Sequence, residues 1–365
     1  MFTKTDGKVG TREYVSIVIL CISIKFTDTT PTLLFKAGAN AGWIIAFTSS
    51  LPALISLIFL LMLLKRYNQN LIDIIYRLTG KYIGFILGML IFLPRFFLTS
   101  MNSRNFADSL VDLFYPRTPS WYIYAILIGT SYFLAVRGFE GIGRAAYVMQ
   151  PYIKLVLLIL LIMALKQVNV NYIFPIFGSG LDKIFASAFY YSSTYEEIIQ
   201  LAIFFPMLRS YKEFKLGSLI GMGYCTFEIT LFCFIYITVF DNPPIQIVNY
   251  LFQSVTRIVY SGRFVSNLEG MFLFFWAMAS FIRFSVHLYM ISAYFALTLR
   301  LKEFKPFLLP MAALIIIIGM IPDNMFISIF IVRKFLLNTN WVYIYSLPII
   351  LFCISQLKGD YNKSA

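Results

Sequence analysis

Apolar residues along this chain neither alternate nor recur at a helical period. They run on in long blocks, separated by short polar stretches that carry most of the Lys and Arg. About 20 consecutive apolar residues suffice for a helix to cross the hydrocarbon core of a bilayer. About ten blocks meet that measure, near Tyr14–Phe35, Trp43–Leu64, Ile83–Leu110, Trp121–Val136, Ala146–Leu165, Ile184–Leu208, Leu216–Phe240, Val265–Leu299, Phe307–Ile321 and Trp341–Leu357. Nothing between them reads as an extramembrane domain, so residues 1–365 are expected to form a single transmembrane unit. The longest connection, Asp241 to Arg263, places Ile245, Val248, Leu251, Phe252 and Val255 at helical spacing and predicts a helix lying at the membrane interface.

Two blocks are interrupted. The first is apolar to Ile24, meets Lys25-Phe26-Thr27-Asp28-Thr29-Thr30-Pro31, and resumes at Leu33. Two charges, three threonines and a proline do not suit a continuous helix in lipid, and Pro31 fits the first turn of a second half-helix. The sixth carries Ser192-Ser193-Thr194-Tyr195-Glu196-Glu197 at its middle. Paired carboxylates at that depth must face protein or water. The first and sixth blocks are corresponding members of two five-helix halves, about 12–165 and 176–357. Broken helices at matching places in inverted halves point to a midplane binding site of the transporter type. The predicted fold is therefore all-α and integral to the membrane: about ten transmembrane helices in a five-plus-five inverted repeat, with helices 1 and 6 broken.

Composition agrees. Hydrophobic residues make up 59% and charged residues only 13% of the chain, against roughly 25% charged in soluble domains. A net charge of +13 would suggest nucleic acid in a soluble protein. Here the basic residues fall in clusters between apolar runs, which makes them a topology signal, and no nucleic-acid partner is expected. With Lys4, Lys8 and Arg12 inside, the clusters Lys65/Arg66/Arg77/Lys81, Arg137/Arg144, Arg209/Lys212/Lys215, Arg300/Lys302/Lys305 and Lys358/Lys363 also fall inside. Fewer fall outside: Arg117, Lys166, Arg257, Arg263, Arg333 and Lys334. Both termini are expected on the cytoplasmic side, as an even number of spans requires. Cys21, Cys225, Cys233 and Cys353 lie in apolar runs without metal-ligand spacing. No catalytic constellation or phosphate-binding glycine loop is present, so neither enzymatic activity nor a metal or other cofactor is expected.

Four motifs carry a family resemblance: Arg137-Gly138-Phe139-Glu140-Gly141-Ile142-Gly143-Arg144 followed by Pro151; Arg104-Asn105-Phe106-Ala107-Asp108 leading to Tyr115-Pro116-Arg117-Thr118-Pro119; the Asn171-Tyr172-Ile173-Phe174-Pro175 turn; and the acidic break ahead of Phe205-Pro206. In this order the chain resembles the spore germination permease family, the B subunits of bacterial spore germinant receptors, within the amino acid–polyamine–organocation superfamily. The resemblance implies a place in the spore inner membrane among membrane lipid. It also implies a nutrient germinant, often an amino acid, and two partners: an A-type subunit and a C-type lipoprotein subunit. A secondary amino acid or polyamine transporter is the alternative, because one fold serves both roles. Many family members carry a glycine in the first break, whereas this chain has Lys25, Phe26 and Asp28 there.

The candidate ligand-binding residues are Lys25, Phe26, Thr27, Asp28 and Thr29 of the first break and Ser193, Thr194, Tyr195, Glu196 and Glu197 of the sixth. The threonine hydroxyls and half-helix termini suit a ligand carboxylate; alternatively the threonines only satisfy freed backbone groups. One glutamate is expected to receive an ammonium group or relay a proton, with Glu197 the better fit to the family pattern by its distance to Pro206; the alternative is a structural salt bridge, to Lys25 for instance. Both cannot share one helical face unless the backbone is unwound. Lys25 and Asp28, three apart, can pair with each other, or Lys25 can stand where ion-coupled relatives of the fold hold sodium. Arg104/Asp108 and Arg283/His287, each spaced i, i+4, are gate or structural pairs, and Arg95 calls for a partner that the sequence does not name.

Overall fold

The computed structural model describes residues 7–259, 268–322 and 327–358. Lys4, Arg263, Lys363 and the expected start of the eighth span at Val265 lie outside them. Among the described residues the chain is helical and has no strand, only one bridge that ties Val9 to Leu208.

The first span divides as its sequence demands. Helix α1 (Thr11–Ile22) gives way to a 3₁₀ turn over Ser23–Thr27, and α2 (Thr30–Gly38) restarts with Pro31 in its first turn. Helices α3 (Gly42–Thr48) and α4 (Ser50–Tyr67) form the second span. The third is α5 (Leu71–Phe114), 44 residues long and bent at Gly80, whose φ of 81° is open to glycine and strained for other residues. Then come α6 (Ser120–Val136) and α7 (Gly138–Ala164). The sixth span breaks like the first: α8 (Leu181–Tyr190), a 3₁₀ turn over Tyr191–Tyr195, the short α9 (Glu197–Gln200), and a 3₁₀ stretch Leu201–Met207. Helix α10 (Tyr211–Phe240), the short α11 (Leu251–Ile258), α12 (Leu268–Thr298), α13 (Leu308–Gly319) and α14 (Lys334–Leu357) complete the chain, and a π-helical segment Ile327–Arg333 leads into α14.

Among the described residues, six helical segments are long and apolar enough to cross a membrane. Of the broken spans only α2 is included, joined to α3 and α4 as Thr30–Tyr67; α1 and α8 are too short by themselves, and Ser120–Val136 and Lys305–Gly319 are apolar but shorter. Helix α1 runs between α10, α7 and α12, at the centre of the bundle. Its approach to α10 is close: a Cβ on Gly217 would lie 2.6 Å from Tyr14, and one on Gly221 2.5 Å from Val18. The small-residue pair thus lets two backbones touch. The outer surface is apolar, with Phe133, Leu155 and Phe227 more than half exposed, as lipid contact requires.

Helix α11 departs from the expected interfacial helix. Its apolar face is not turned to lipid: Leu251, Phe252 and Val255 are buried. Phe252 lies 4.4 Å from Phe272 and 5.5 Å from Phe26, ring centre to ring centre. It covers the first break from one end.

Candidate functional site

The two breaks meet. Lys25 donates to the Thr194 carbonyl at 2.5 Å and to Glu197 Oε2 at 2.5 Å. Arg95 of α5 reaches Glu196 Oε1 at 3.1 Å and Glu197 Oε1 at 3.3 Å, while Asn340 of α14 donates to Glu196 Oε2 at 3.2 Å. Lys25 is 3% exposed and the two glutamates 0%. The adjacent glutamates converge because the backbone before them is wound as a 3₁₀ turn and because one long guanidinium bridges both. Arg95 thereby finds its partners, and Lys25 takes Glu197 rather than Asp28. The rest of the sixth break is fastened to its neighbours: Ser193 donates to Leu337 O, Tyr195 to Ala46 O, and Tyr345 to Ser192 O.

Asp28 pairs with Arg333 at 2.9 Å, and the same guanidinium donates to Asn102, Thr29 and Thr30 at 2.7–2.8 Å. Asp28 also accepts from the Thr30 N–H at the start of α2. The assignment of Arg333 to an outer basic cluster is therefore corrected: it is 2% exposed and stitches the first break to α5. The apolar run Ile327–Val332 immediately before it was the available sign of burial. Carbonyls freed by the first break are met by side chains, Phe26 O by Tyr236 and Thr27 O by Gln253. Phe26 itself stacks on Phe232 at 4.0 Å.

Beside this latch lies a narrow cavity with mostly polar lining residues, no larger than a water or two. Its walls are Thr27, Asp28 and Thr29 of the first break, Asn102 and Asn105 of α5, Trp276, Ser280 and Arg283 of α12, and Arg333. The space is narrow, as in a closed conformation, and a ligand larger than a few waters needs the helices to part. Of the ten residues expected to bind ligand, only Thr27, Asp28 and Thr29 line it. Lys25 and the five residues of the sixth break stand behind the wall as the latch, and Phe26 faces α10. Trp276 Nε1 donates to Thr27 Oγ1 at 2.9 Å, which fixes one wall.

Arg283 and His287 do not form a pair. Arg283 faces the cavity. His287 lies one turn deeper, with neither ring nitrogen hydrogen-bonded and Nε2 4.0 Å from Glu197 Oε1. Arg104 and Asp108 are in contact, at 2.8 Å from Nε to each carboxylate oxygen. Arg104 also donates to Gly319 O, and Ser120 donates to Asp108, so the pair joins α5, α6 and the end of α13. A further, partly buried pair, Lys154 of α7 and Glu228 of α10 at 2.6 Å, was not anticipated from the sequence. Among the described residues no cluster of three or more His, Cys, Asp or Glu is placed to hold a metal ion.

The sequence model of the family described as spore germination protein matches residues 11–326. Among curated proteins of Bacillus subtilis (strain 168), the chain is 27% identical to spore germination protein A2, over 97% of each chain. It is 24% identical to spore germination protein B2 over 56% of each, so that alignment spans little more than half of either chain. Spore germination protein KB is 21% identical over 75% of this chain and 76% of that one. Two solved structures share the fold at 12% identity. MHP1, a nucleobase-cation-symport-1 family transporter with bromovinylhydantoin bound, superposes with a TM-score of 0.68 over 95% of this chain and 78% of that one. A Na⁺-coupled sialic acid symporter in a substrate-bound outward-open state gives 0.60 over 98% and 80%. The architecture is that of membrane transporters: an all-α integral membrane protein of about ten helices in a five-plus-five inverted repeat, broken at the first and sixth.

Proposed function

The chain belongs to the spore germination protein family, and from that premise we propose that it is the membrane subunit of a nutrient germinant receptor. The observation that carries the reading is the cavity at the first break, walled by Asp28, Thr29, Asn102 and Arg283. A small nutrient, an amino acid foremost, binds there. Its binding favours one packing of the halves, about 12–165 and 176–357, over another. Because Lys25 ties the first break to the sixth, the shift is felt at both. It passes to an A-type and a C-type subunit in the spore inner membrane, with both termini of this chain in the cytoplasm.

The likeness to two symporters favours one other reading, a secondary amino acid or polyamine transporter, and fold does not separate the two. The test uses spores carrying Ser280→Phe, which fills the cavity from α12. Germination is scored against amino acids, sugars and nucleosides, with subunit levels checked by immunoblot. Loss of the response with the protein present supports the receptor reading. An unchanged response removes the cavity from sensing. Uptake of a labelled nutrient into vesicles holding this chain alone would favour the transporter.

A further inference from the structure

Among the described residues, the charges around the two breaks do not balance. Four cations, Lys25, Arg95, Arg283 and Arg333, face three carboxylates, Asp28, Glu196 and Glu197. The other buried or partly buried pairs, Arg104–Asp108 and Lys154–Glu228, are neutral within themselves. Lys25, Arg95 and Arg333 each have a carboxylate in contact. Arg283 has none among the described residues.

Arg283 is 5% exposed, and its Nε and NH2 have no hydrogen-bond partner. Its carbon Cζ lies 5.6 Å from the Phe284 ring centre, at the far edge of a cation–π contact. Asp28, on the same cavity wall, is already committed, Oδ1 to the Thr30 N–H and Oδ2 to Arg333. Trp276, Ser280 and Arg283 follow one another at i, i+4 and i+7 on α12 and form a single stripe of the wall. An isolated buried cation is costly unless something answers it. A guanidinium presents its donors in a planar fork that matches a carboxylate.

We propose that Arg283 is the anchor for a carboxylate on the ligand, and that the cavity therefore selects nutrients bearing a free carboxylate. The inference rests on the cavity being the ligand site. A bound carboxylate brings the cluster to four charges of each sign, and the packing around it is more favourable with that anion present. Neutral sugars and nucleosides leave the cation unanswered.

Two measurements test this. The first compares each effective L-amino acid with its own carboxamide as germinant, on spores of the wild type, Arg283→Gln and Arg283→Lys. The expected result is that amidation raises the half-effective concentration about 10- to 100-fold in the wild type. Arg283→Gln is expected to erase most of that difference by weakening the acid alone, and Arg283→Lys to keep part of it. Acid and amide acting equally in the wild type, or a glutamine variant that weakens both equally, overturns the proposal. If Ser280→Phe still abolishes the response in that case, the cavity remains the sensor and only the anchor is lost.

The second measurement needs no germinant and reads the purified full chain. Arg283→Met removes an unanswered charge, so the empty protein is expected to unfold at a higher temperature than the wild type. Lys25→Met, which breaks a pair, is expected to unfold at a lower one. A drop for Arg283→Met as large as that for Lys25→Met gives Arg283 a structural partner and refutes the proposal. So does chloride raising the unfolding temperature of the wild type but not of Arg283→Met, with acid and amide acting alike, since an inorganic anion then occupies the site.

Discussion

Replacing Glu197 by Gln isolates the latch between the two breaks. The amide keeps the volume of the side chain and removes a charge 2.5 Å from Lys25 Nζ. Lys25, 3% exposed, is left with neutral acceptors, the Thr194 carbonyl and the new amide oxygen, and no carboxylate in contact among the described residues. Taking one partner from a buried ion pair costs roughly 3–5 kcal/mol, because the survivor stays out of water without its counter-charge. Glu197→Gln and Lys25→Met are each expected to lose that much. The double variant removes one charge of each sign, so neither partner is left buried alone, and it leaves Arg95 on Glu196. It is expected to recover at least ~2 kcal/mol relative to the sum of the singles, the range found for residues in direct contact. The assay is reversible denaturant unfolding of the full-length protein in mixed micelles, with all four proteins taken through a double-mutant cycle. Single losses under ~1 kcal/mol, the value of an exposed pair, would refute the latch. So would a double variant whose loss equals the sum.

Arg333→Met withdraws donors from Asn102, Thr29, Asp28 and Thr30 at once, and a loss of roughly 3–5 kcal/mol with an abolished germinant response is expected; unfolding and germination assays on the same variant check it. Gly221→Val drives a side chain into Val18 and is expected to cost about 1–3 kcal/mol, read as a lowered unfolding temperature. Because the Lys25 ammonium is a fixed cation within the first break, sensing is expected to be independent of sodium; a response abolished when choline replaces sodium contradicts this.

Most of the fold was legible because it follows from solvation. A backbone in lipid must bond to itself, so long apolar blocks become helices, and the breaks announced themselves where Lys25, Asp28, Pro31, Glu196 and Glu197 interrupt those blocks. Partner choice was not legible. Lys25 and Asp28 are three apart, yet the 3₁₀ turn over Ser23–Thr27 sends Lys25 to Glu197, 172 residues away, and Asp28 to Arg333, 305 residues away. Sequence spacing ranks only local pairs, whereas the low dielectric of the bundle rewards whichever opposite charge the packing brings close. Helix α11 misled for a related reason: an apolar stripe looks the same whether it meets lipid or Phe26 and Phe272.

The paired and unpaired charges divide the interior into two regions with different mechanical roles. Around Glu196 and Glu197 the charges are dry and matched, and Lys25, Arg95 and Asn340 converge on them from three elements. Separating those elements exposes unmatched charge, so the first break, α5 and α14 are expected to move together with the sixth break. Around Asp28 and Arg283 the wall is polar, a cavity is present, and among the described residues one cation has no carboxylate in contact. Movement there breaks fewer matched contacts, and an anion arriving from outside changes the balance. A carboxylate at Arg283 would bias the packing of α12 against the first break while leaving the latch closed. A receptor needs that behaviour: a ligand-dependent shift between two packings that returns without carrying its ligand through. A transporter must also open the opposite side, and the latch holds the two breaks together against such a movement. Loosening the latch with the Lys25→Met/Glu197→Gln variant, which removes one charge of each sign, is therefore the change most able to turn sensing into passage, and the uptake of a labelled nutrient by that variant alone would register it.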